Sequence, residues 1–136
     1  MKVLVDSSTI YSSIVFSDKK MNILDLLIEK YSIVITDYII EELKRNLNNK
    51  LTGKQKIKAL KQLNILISNC EVKVKNDYIQ YISEAQKYIS DKDSPILACG
   101  MLPDIDYLLT SDKEFWPLKI KDVKIITPKE AKEKLI

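Results

Sequence analysis

The sequence contains no histidine, and this absence restricts its chemistry more than any other feature of its composition. It excludes Ser-His-Asp and Cys-His catalysis, histidine acid–base chemistry and histidine-ligated metal sites. An enzyme built from this chain must therefore rely on carboxylates, hydroxyls, lysines or a metal ion held by oxygen ligands.

Cysteine and glycine are also scarce. The two cysteines, Cys70 and Cys99, are too few for a zinc cage, and we interpret both as small buried apolar residues in a reducing cytosol. The two glycines leave little room for flexible linkers. We therefore predict that residues 1–136 form a single domain, which is long enough to bury its own hydrophobic core.

Long apolar runs are absent as well. No run approaches the ~20 residues that a membrane-spanning helix needs, and the N-terminus enters a strand-like segment directly. We therefore expect a cytoplasmic protein that has no membrane contact. Charged residues form 30% of the chain and the net charge is only +3, so the distribution of the charges is more informative than their sum.

Short apolar segments alternate with helical ones from one end of the chain to the other. Strands are predicted at residues 2–5, 32–35, 71–74, 107–109 and 123–126. Helices are predicted at residues 9–16, 22–29, 37–48, 54–67, 77–89, from 93 onward and at 128–135, with a brief helical turn at 111–115. This alternation is typical of βαβ units. It predicts an α/β protein: a three-layer α/β/α sandwich with a parallel sheet of about five strands.

Four acidic residues lie at or near the ends of these strands. Asp6 ends the first strand, and Glu42 lies on the helix after the second. Asp93 opens the helix before the fourth strand, and Asp112 follows that strand. Ligands of a parallel sheet bind beyond the carboxyl ends of its strands, so we expect the four side chains to converge. Such oxygen ligands suit Mg²⁺ or Mn²⁺, which can cleave a phosphodiester bond without histidine.

Each of these acids also has a purely structural interpretation. Asp6 could close a turn, Asp93 could cap its helix, and Asp112 could accompany a capping box formed by Ser111 and Glu114. What favours the metal site is that all four acids fall at the same end of one predicted sheet.

Glu41 and Glu42 are adjacent, so only one of them can face such a site. The helical wheel places Glu42 beside the apolar stripe of its helix and Glu41 further toward solvent. Glu42 is therefore the better ligand candidate.

A basic stretch follows between Leu43 and Cys70, which contains seven basic residues and no acid. A nuclease needs positive charge near its acidic pocket to attract a phosphate backbone. The stretch is therefore a candidate RNA-binding surface, and the alternative is a solvated helix face. The proposed contacts are Lys54, Lys56, Lys58 and Lys61.

The ordered segments VDSST, IIEEL, KDSPILACG and DYLLTSDKEF resemble the PIN-domain family of nucleases, which includes the VapC-type toxins. The likeness spans nearly the whole chain. It implies a parallel sheet flanked by helices, Mg²⁺ or Mn²⁺ as the cofactor, and endonucleolytic cleavage of RNA. A VapC-type toxin would also have an antitoxin protein as its partner.

The resemblance also assigns roles to individual residues. It implies a metal site with two supporting hydroxyls, formed by Asp6, Glu42, Asp93 and Asp112 with Ser8 and Thr110. Ser8 stands where many members carry asparagine, and either side chain can hydrogen-bond a carboxylate. Asp91 is an alternative to Asp93, and the D-x-P-I-L-A spacing favours Asp93.

Other classes of protein compete with this interpretation. One is a catalytically silent PIN-like scaffold that binds RNA or protein, although four unneeded like charges in one pocket would be costly. Another is a receiver-like phosphoacceptor domain, which would need a pair of acids where Asp6 stands alone. A DNA-cutting nuclease of the same superfamily is a third. The sequence leaves the RNA target, the toxin role and the formation of a homodimer open.

Overall fold

Five parallel strands form the centre of the protein in the computed structural model, which describes residues 1–16 and 23–136. The strands are β1 Lys2–Val5, β2 Ser32–Thr36, β3 Glu71–Lys73, β4 Tyr107–Leu109 and β5 Ile125–Ile126. Their order across the sheet is β3-β2-β1-β4-β5, and each neighbouring pair is parallel. The predicted parallel sheet is confirmed.

This strand order creates a crevice at the carboxyl ends of β1 and β4. The chain builds outward from β1 through β2 to β3, and then returns to the other side of β1 for β4 and β5. Val5 pairs with Leu109, so Asp6 and Thr110 follow on adjacent strands at the same edge. A reversal of this kind is where open α/β sheets bind their ligands.

Helices cover both faces of the sheet. Val3, Leu4 and Val5 are all completely buried although consecutive strand residues point to opposite faces, so neither face of β1 reaches solvent. The three-layer architecture is therefore confirmed. Its helices are α1 Ser7–Val15, α2 Ile23–Ile28, α3 Asp37–Lys50, α4 Gly53–Ser68, α5 Lys75–Tyr78, α6 Ile82–Ala85, α7 Ser94–Gly100 and α8 Pro128–Lys134.

Local capping signals predict two helix starts correctly. Thr36 caps α3, because its hydroxyl accepts a hydrogen bond from the Ile39 backbone N–H at 2.9 Å. Thr127 and Glu130 form the predicted capping box of α8. The first helix differs from its prediction: α1 begins at Ser7, and its cap is Asp6 rather than Ser8.

The predicted helix 77–89 is interrupted. It consists of α5, a 3-10 turn at Ile79–Tyr81 and α6, followed by turns. The break falls at Tyr78, which is buried and donates a hydrogen bond from its hydroxyl to Asp37 Oδ1 at 2.6 Å. Helical periodicity contains no information about this contact with α3, so the sequence predicted a longer helix than the protein forms.

Other predictions need smaller corrections. The last strand contains only Ile125–Ile126, and the helical turn predicted at residues 111–115 is replaced by turns at residues 113–117. The predicted helix 22–29 corresponds to α2, and its first residue lies outside the described residues.

Cys99 is buried as predicted, but Cys70 is only half-buried, and both are free thiols. None of the described helices has the length and apolarity to cross a membrane.

Candidate metal centre

Asp6 is the most enclosed acid of the candidate site, with a side chain 2% exposed. Its carboxylate accepts hydrogen bonds from the Thr9 backbone N–H and the Ser8 hydroxyl, each at 3.0 Å, and from the Thr110 hydroxyl. Burial raises the pKa of Asp6, and the hydrogen bonds from Thr110, Thr9 and Ser8 oppose that rise. The two hydroxyls that the sequence nominated as supporting residues thus both contact Asp6.

Thr110 connects Asp6 to Asp112. The completely buried Thr110 hydroxyl donates to the Asp6 carboxylate and accepts a hydrogen bond from the Asp112 backbone N–H at 2.9 Å. A second connection joins the same two segments, because the hydroxyls of Thr9 and Ser111 lie 2.9 Å apart. The end of β4 is therefore connected to the start of α1 by side-chain contacts.

Glu42 approaches the site from α3. Its side chain is half-buried, whereas Glu41 is exposed, which is the orientation that the helical wheel predicted. The Ser7 hydroxyl donates to Glu42 Oε1 at 3.2 Å. Burial raises the pKa of Glu42 and the charge of Asp93 raises it further, while Ser7 and the cations Lys92 and Arg45 oppose the shift. Glu42 and Asp93 therefore lie close enough to interact electrostatically.

Asp93, Asp112 and Glu114 form the tightest acidic group in the described part of the chain. Each contributes one carboxylate oxygen, and the three oxygens lie within 4.8 Å of one another. Sequence reasoning considered Glu114 only as half of a capping box with Ser111. That box is not formed: the Ser111 hydroxyl contacts Thr9, and the Glu114 backbone N–H donates to Asp112 Oδ1 at 3.0 Å.

Asp93 occupies the N-cap position of α7, but its side chain makes no capping hydrogen bond. Instead, Asp93 Oδ2 accepts a hydrogen bond from the Ser90 hydroxyl at 3.2 Å. The neighbouring Asp91 is exposed, and its backbone carbonyl accepts from Ser94. The structure therefore places Asp93 in the acidic group, and its carboxylate is not occupied by capping.

Tyr38 lies near Glu42 and Asp93 and was not identified from the sequence. Its hydroxyl donates to the Lys92 carbonyl oxygen at 2.7 Å. Burial raises the pKa of Tyr38, and the charges of Glu42 and Asp93 raise it further. This contact ties α3 to the segment that carries Asp93. A tyrosine one turn before Glu42 was the only sequence signal for it.

The donor set fits a divalent cation. The described acids offer only oxygen ligands, and one carboxylate oxygen from each of three of them lies within 4.8 Å of the other two. Hard cations such as Mg²⁺ and Mn²⁺ prefer this kind of ligand. The other two nominated acids, Asp6 and Glu42, are not among these three. Asp6 is connected to the Asp112 backbone through Thr110, and Glu42 interacts electrostatically with Asp93.

The profile of the PIN domain family matches residues 4–131, which is nearly the whole chain. The protein belongs to the PIN-domain family, as the ordered motifs predicted. Among curated proteins, none matches the sequence.

Two solved structures share the fold at low sequence identity. One is the structure of VapBC2 from Rickettsia felis bound to a DNA fragment from its promoter. It is 20% identical in sequence, the match covers 93% of this chain and 98% of that chain, and the TM-score is 0.73. The other is the structure of Mycobacterium tuberculosis VapC20, a Sarcin-Ricin loop cleaving toxin. It is 14% identical in sequence, the match covers 90% of this chain and 98% of that chain, and the TM-score is 0.62. At these identities the similarity concerns the fold.

Proposed function

We propose that the protein is a metal-dependent endoribonuclease that hydrolyses RNA phosphodiester bonds and acts as the toxin of a toxin–antitoxin pair. Membership of the PIN-domain family supports a nuclease. The single observation that carries the proposal is the convergence of Asp93, Asp112 and Glu114 within 4.8 Å beside the buried Asp6. The fold shared with VapC20, described as a Sarcin-Ricin loop cleaving toxin, supports RNA as the substrate class.

The proposed roles follow from the contacts of each side chain. Asp6, Glu42, Asp93 and Asp112 would hold Mg²⁺ or Mn²⁺, with Glu114 as an additional acid. A divalent ion bound there supplies an activated water and stabilises charge on the phosphate. Thr110 and Ser8 orient the Asp6 carboxylate, and Thr110 also fixes the backbone of Asp112. Ser7 donates a hydrogen bond to Glu42, which would restrict the orientation of its carboxylate.

Removal of divalent metal tests this proposal directly. We expect the purified protein to cleave single-stranded RNA with Mg²⁺ or Mn²⁺ present, to lose the activity in chelator, and to regain it when metal is added back. The measurement is gel analysis of end-labelled RNA, with DNA of the same sequence as a parallel substrate. RNA binding without cleavage under every metal condition would favour the silent scaffold. Selective cleavage of DNA would favour the DNA-cutting alternative.

The four lysines proposed as RNA contacts lie on α4. Lys54, Lys58 and Lys61 share a surface with exposed apolar residues, whereas Lys56 is half-buried and does not line this surface. Ile57 and Ile65 are 57% and 64% exposed. Ala59 and Leu63 provide the buried contacts of the helix instead. A basic and apolar surface is suited to RNA, or to an antitoxin of the kind that the name VapBC2 indicates for the Rickettsia felis complex.

A quadruple alanine variant of Lys54, Lys56, Lys58 and Lys61 distinguishes these two roles. If the lysines contact phosphates, the variant will bind single-stranded RNA more weakly, and the log–log salt slope will become shallower by roughly 0.7 per lost contact. The measurement is RNA affinity at several salt concentrations. An unchanged slope with normal cleavage, but with escape from antitoxin inhibition, would assign the surface to the partner protein.

A further inference from the structure

The connection between β4 and β5 carries the only tryptophan of the chain, Trp116. The ring is 38% exposed, whereas the adjacent Phe115 is buried. The indole N–H donates to the Thr110 carbonyl oxygen at 3.0 Å. Since the Thr110 hydroxyl contacts Asp6, Thr110 connects the exposed ring to the Asp6 carboxylate.

A shallow cleft of about 400 Å³ extends from this ring along the side of the sheet at β5. Its walls and rim combine apolar and basic side chains: Trp116, Leu118, Ile120 and Val123 with Lys119 and Lys121. Both lysines are exposed, and the part of the structure that is described gives neither of them an ion pair. The cleft therefore offers an aromatic face and two available cations.

Successive turns hold the cleft in shape. The Phe115 backbone N–H donates to the Asp112 carbonyl at 3.1 Å, and the Leu118 N–H donates to the Phe115 carbonyl at 3.2 Å. A third turn closes where the Val123 N–H donates to the Ile120 carbonyl at 3.2 Å. Because Asp112 is both a candidate ligand and the start of this series, the cleft has a fixed position relative to the acids.

We infer that this cleft binds a nucleotide of the RNA that neighbours the cleaved phosphate, with its base stacked on Trp116 and its phosphate near Lys119 and Lys121. The inference rests on the proposed nuclease function and adds a substrate-positioning residue to it. Every nucleobase presents a flat face that can stack on an aromatic ring, and lysine pairs with phosphate without sequence preference. The cleft thus favours a single-stranded segment, whose bases are free to stack.

The lone tryptophan provides its own test. Titration of the wild-type protein with a short single-stranded RNA, in chelator so that no cleavage occurs, should quench the Trp116 fluorescence as binding saturates. Tripolyphosphate carries the charge but no base, and it should leave the fluorescence unchanged. Quenching by tripolyphosphate, or RNA binding without any fluorescence change, would overturn the inference while leaving the proposed nuclease function intact.

Two substitutions separate stacking from the hydrogen bond to Thr110. Trp116→Leu should weaken the binding of the RNA by roughly 5- to 160-fold, the range expected for the loss of one stacked base. Trp116→Phe loses the same N–H donor but keeps an aromatic face, and it should retain most of the affinity. Equal losses in the two variants would show that the indole N–H, rather than stacking, matters, and would overturn the inference.

An RNA in which single positions lack the base completes the comparison. One such abasic RNA should bind the wild type and Trp116→Leu equally weakly, because neither complex contains the stacked base. Lys132→Ala, on the exposed surface of α8, serves as a neutral control. Melting temperatures of all variants show whether they are folded.

If the wild type neither binds nor cleaves RNA, the proposed function itself fails. If a partner protein but no RNA quenches Trp116, the cleft is a protein-docking surface and the inference is wrong.

Discussion

Replacing Asp112 by asparagine is expected to lower RNA cleavage at least ~100-fold, and Asp93→Asn should do the same, because ligands of one metal fail together. The oxygens of Asp93 and Asp112 lie within 4.8 Å of each other, and an amide removes one of the charges that would attract the cation. The measurement is kcat/KM on a defined RNA at a fixed Mg²⁺ concentration.

Neighbouring acids supply matched controls for this result. Glu41→Gln changes an exposed side chain on the same helix as Glu42 and should cost little, as should Asp91→Asn. Glu114→Gln tests the acid that was identified only from the structure. A large loss of RNA cleavage in this variant would show that Glu114 functions in the site. Normal activity in Asp93→Asn together with inactivity in Asp91→Asn would contradict the assignment.

Metal binding should also stabilise the fold. An ion that binds only the folded state at ~100 times its dissociation constant adds about 2.7 kcal/mol to the free energy of unfolding. We therefore expect Mg²⁺ or Mn²⁺ to raise the melting temperature of the wild type by several degrees, and that of Asp112→Asn by clearly less. Thermal scans of both proteins in chelator and in metal measure this. Equal shifts in the two proteins would mean that Asp112 does not belong to the metal site.

Without metal, the enclosed acids should make stability depend on pH. The pKa values of Asp6 and Glu42 are raised by burial in the folded state. Between the ordinary and the raised pKa the folded state binds more protons than the unfolded state, so stability is greatest below the ordinary value. This contribution to stability is lost as the pH rises through the raised pKa. In chelator, the two groups should therefore make the wild type more stable at mildly acidic than at neutral pH.

Glu42→Gln isolates part of this dependence. The substitution removes a half-buried charge, and its amide can still accept a hydrogen bond from Ser7. We expect a metal-free melting temperature about 1–3 °C higher at neutral pH, with a weaker dependence on pH, together with impaired cleavage. Asp6 is less suited to this measurement because its carboxylate also caps α1. A lower melting temperature of Glu42→Gln in chelator would contradict the expected charge strain.

Local sequence signals were sufficient to predict the order of strands and helices and the class of fold, because apolar periodicity and capping act over a few residues. Thr36 and Thr127 start their helices through contacts three residues away, which are readable in the chain. The sequence also indicated the kind of cofactor that the site would bind. Without histidine, and with acids after successive parallel strands, an oxygen-ligated cation was the expected cofactor.

Which side chains come into contact depends on how distant segments of the chain pack together. Glu114 joins Asp93 and Asp112 because the turns after β4 fold back toward the start of α7. Tyr78, where the predicted helix is interrupted, donates a hydrogen bond to Asp37, 41 residues earlier. Ile57 has the spacing of a core residue, yet it is exposed because α4 packs through Ala59 and Leu63. Each of these outcomes depends on contacts between distant segments, and local periodicity and propensity do not encode them.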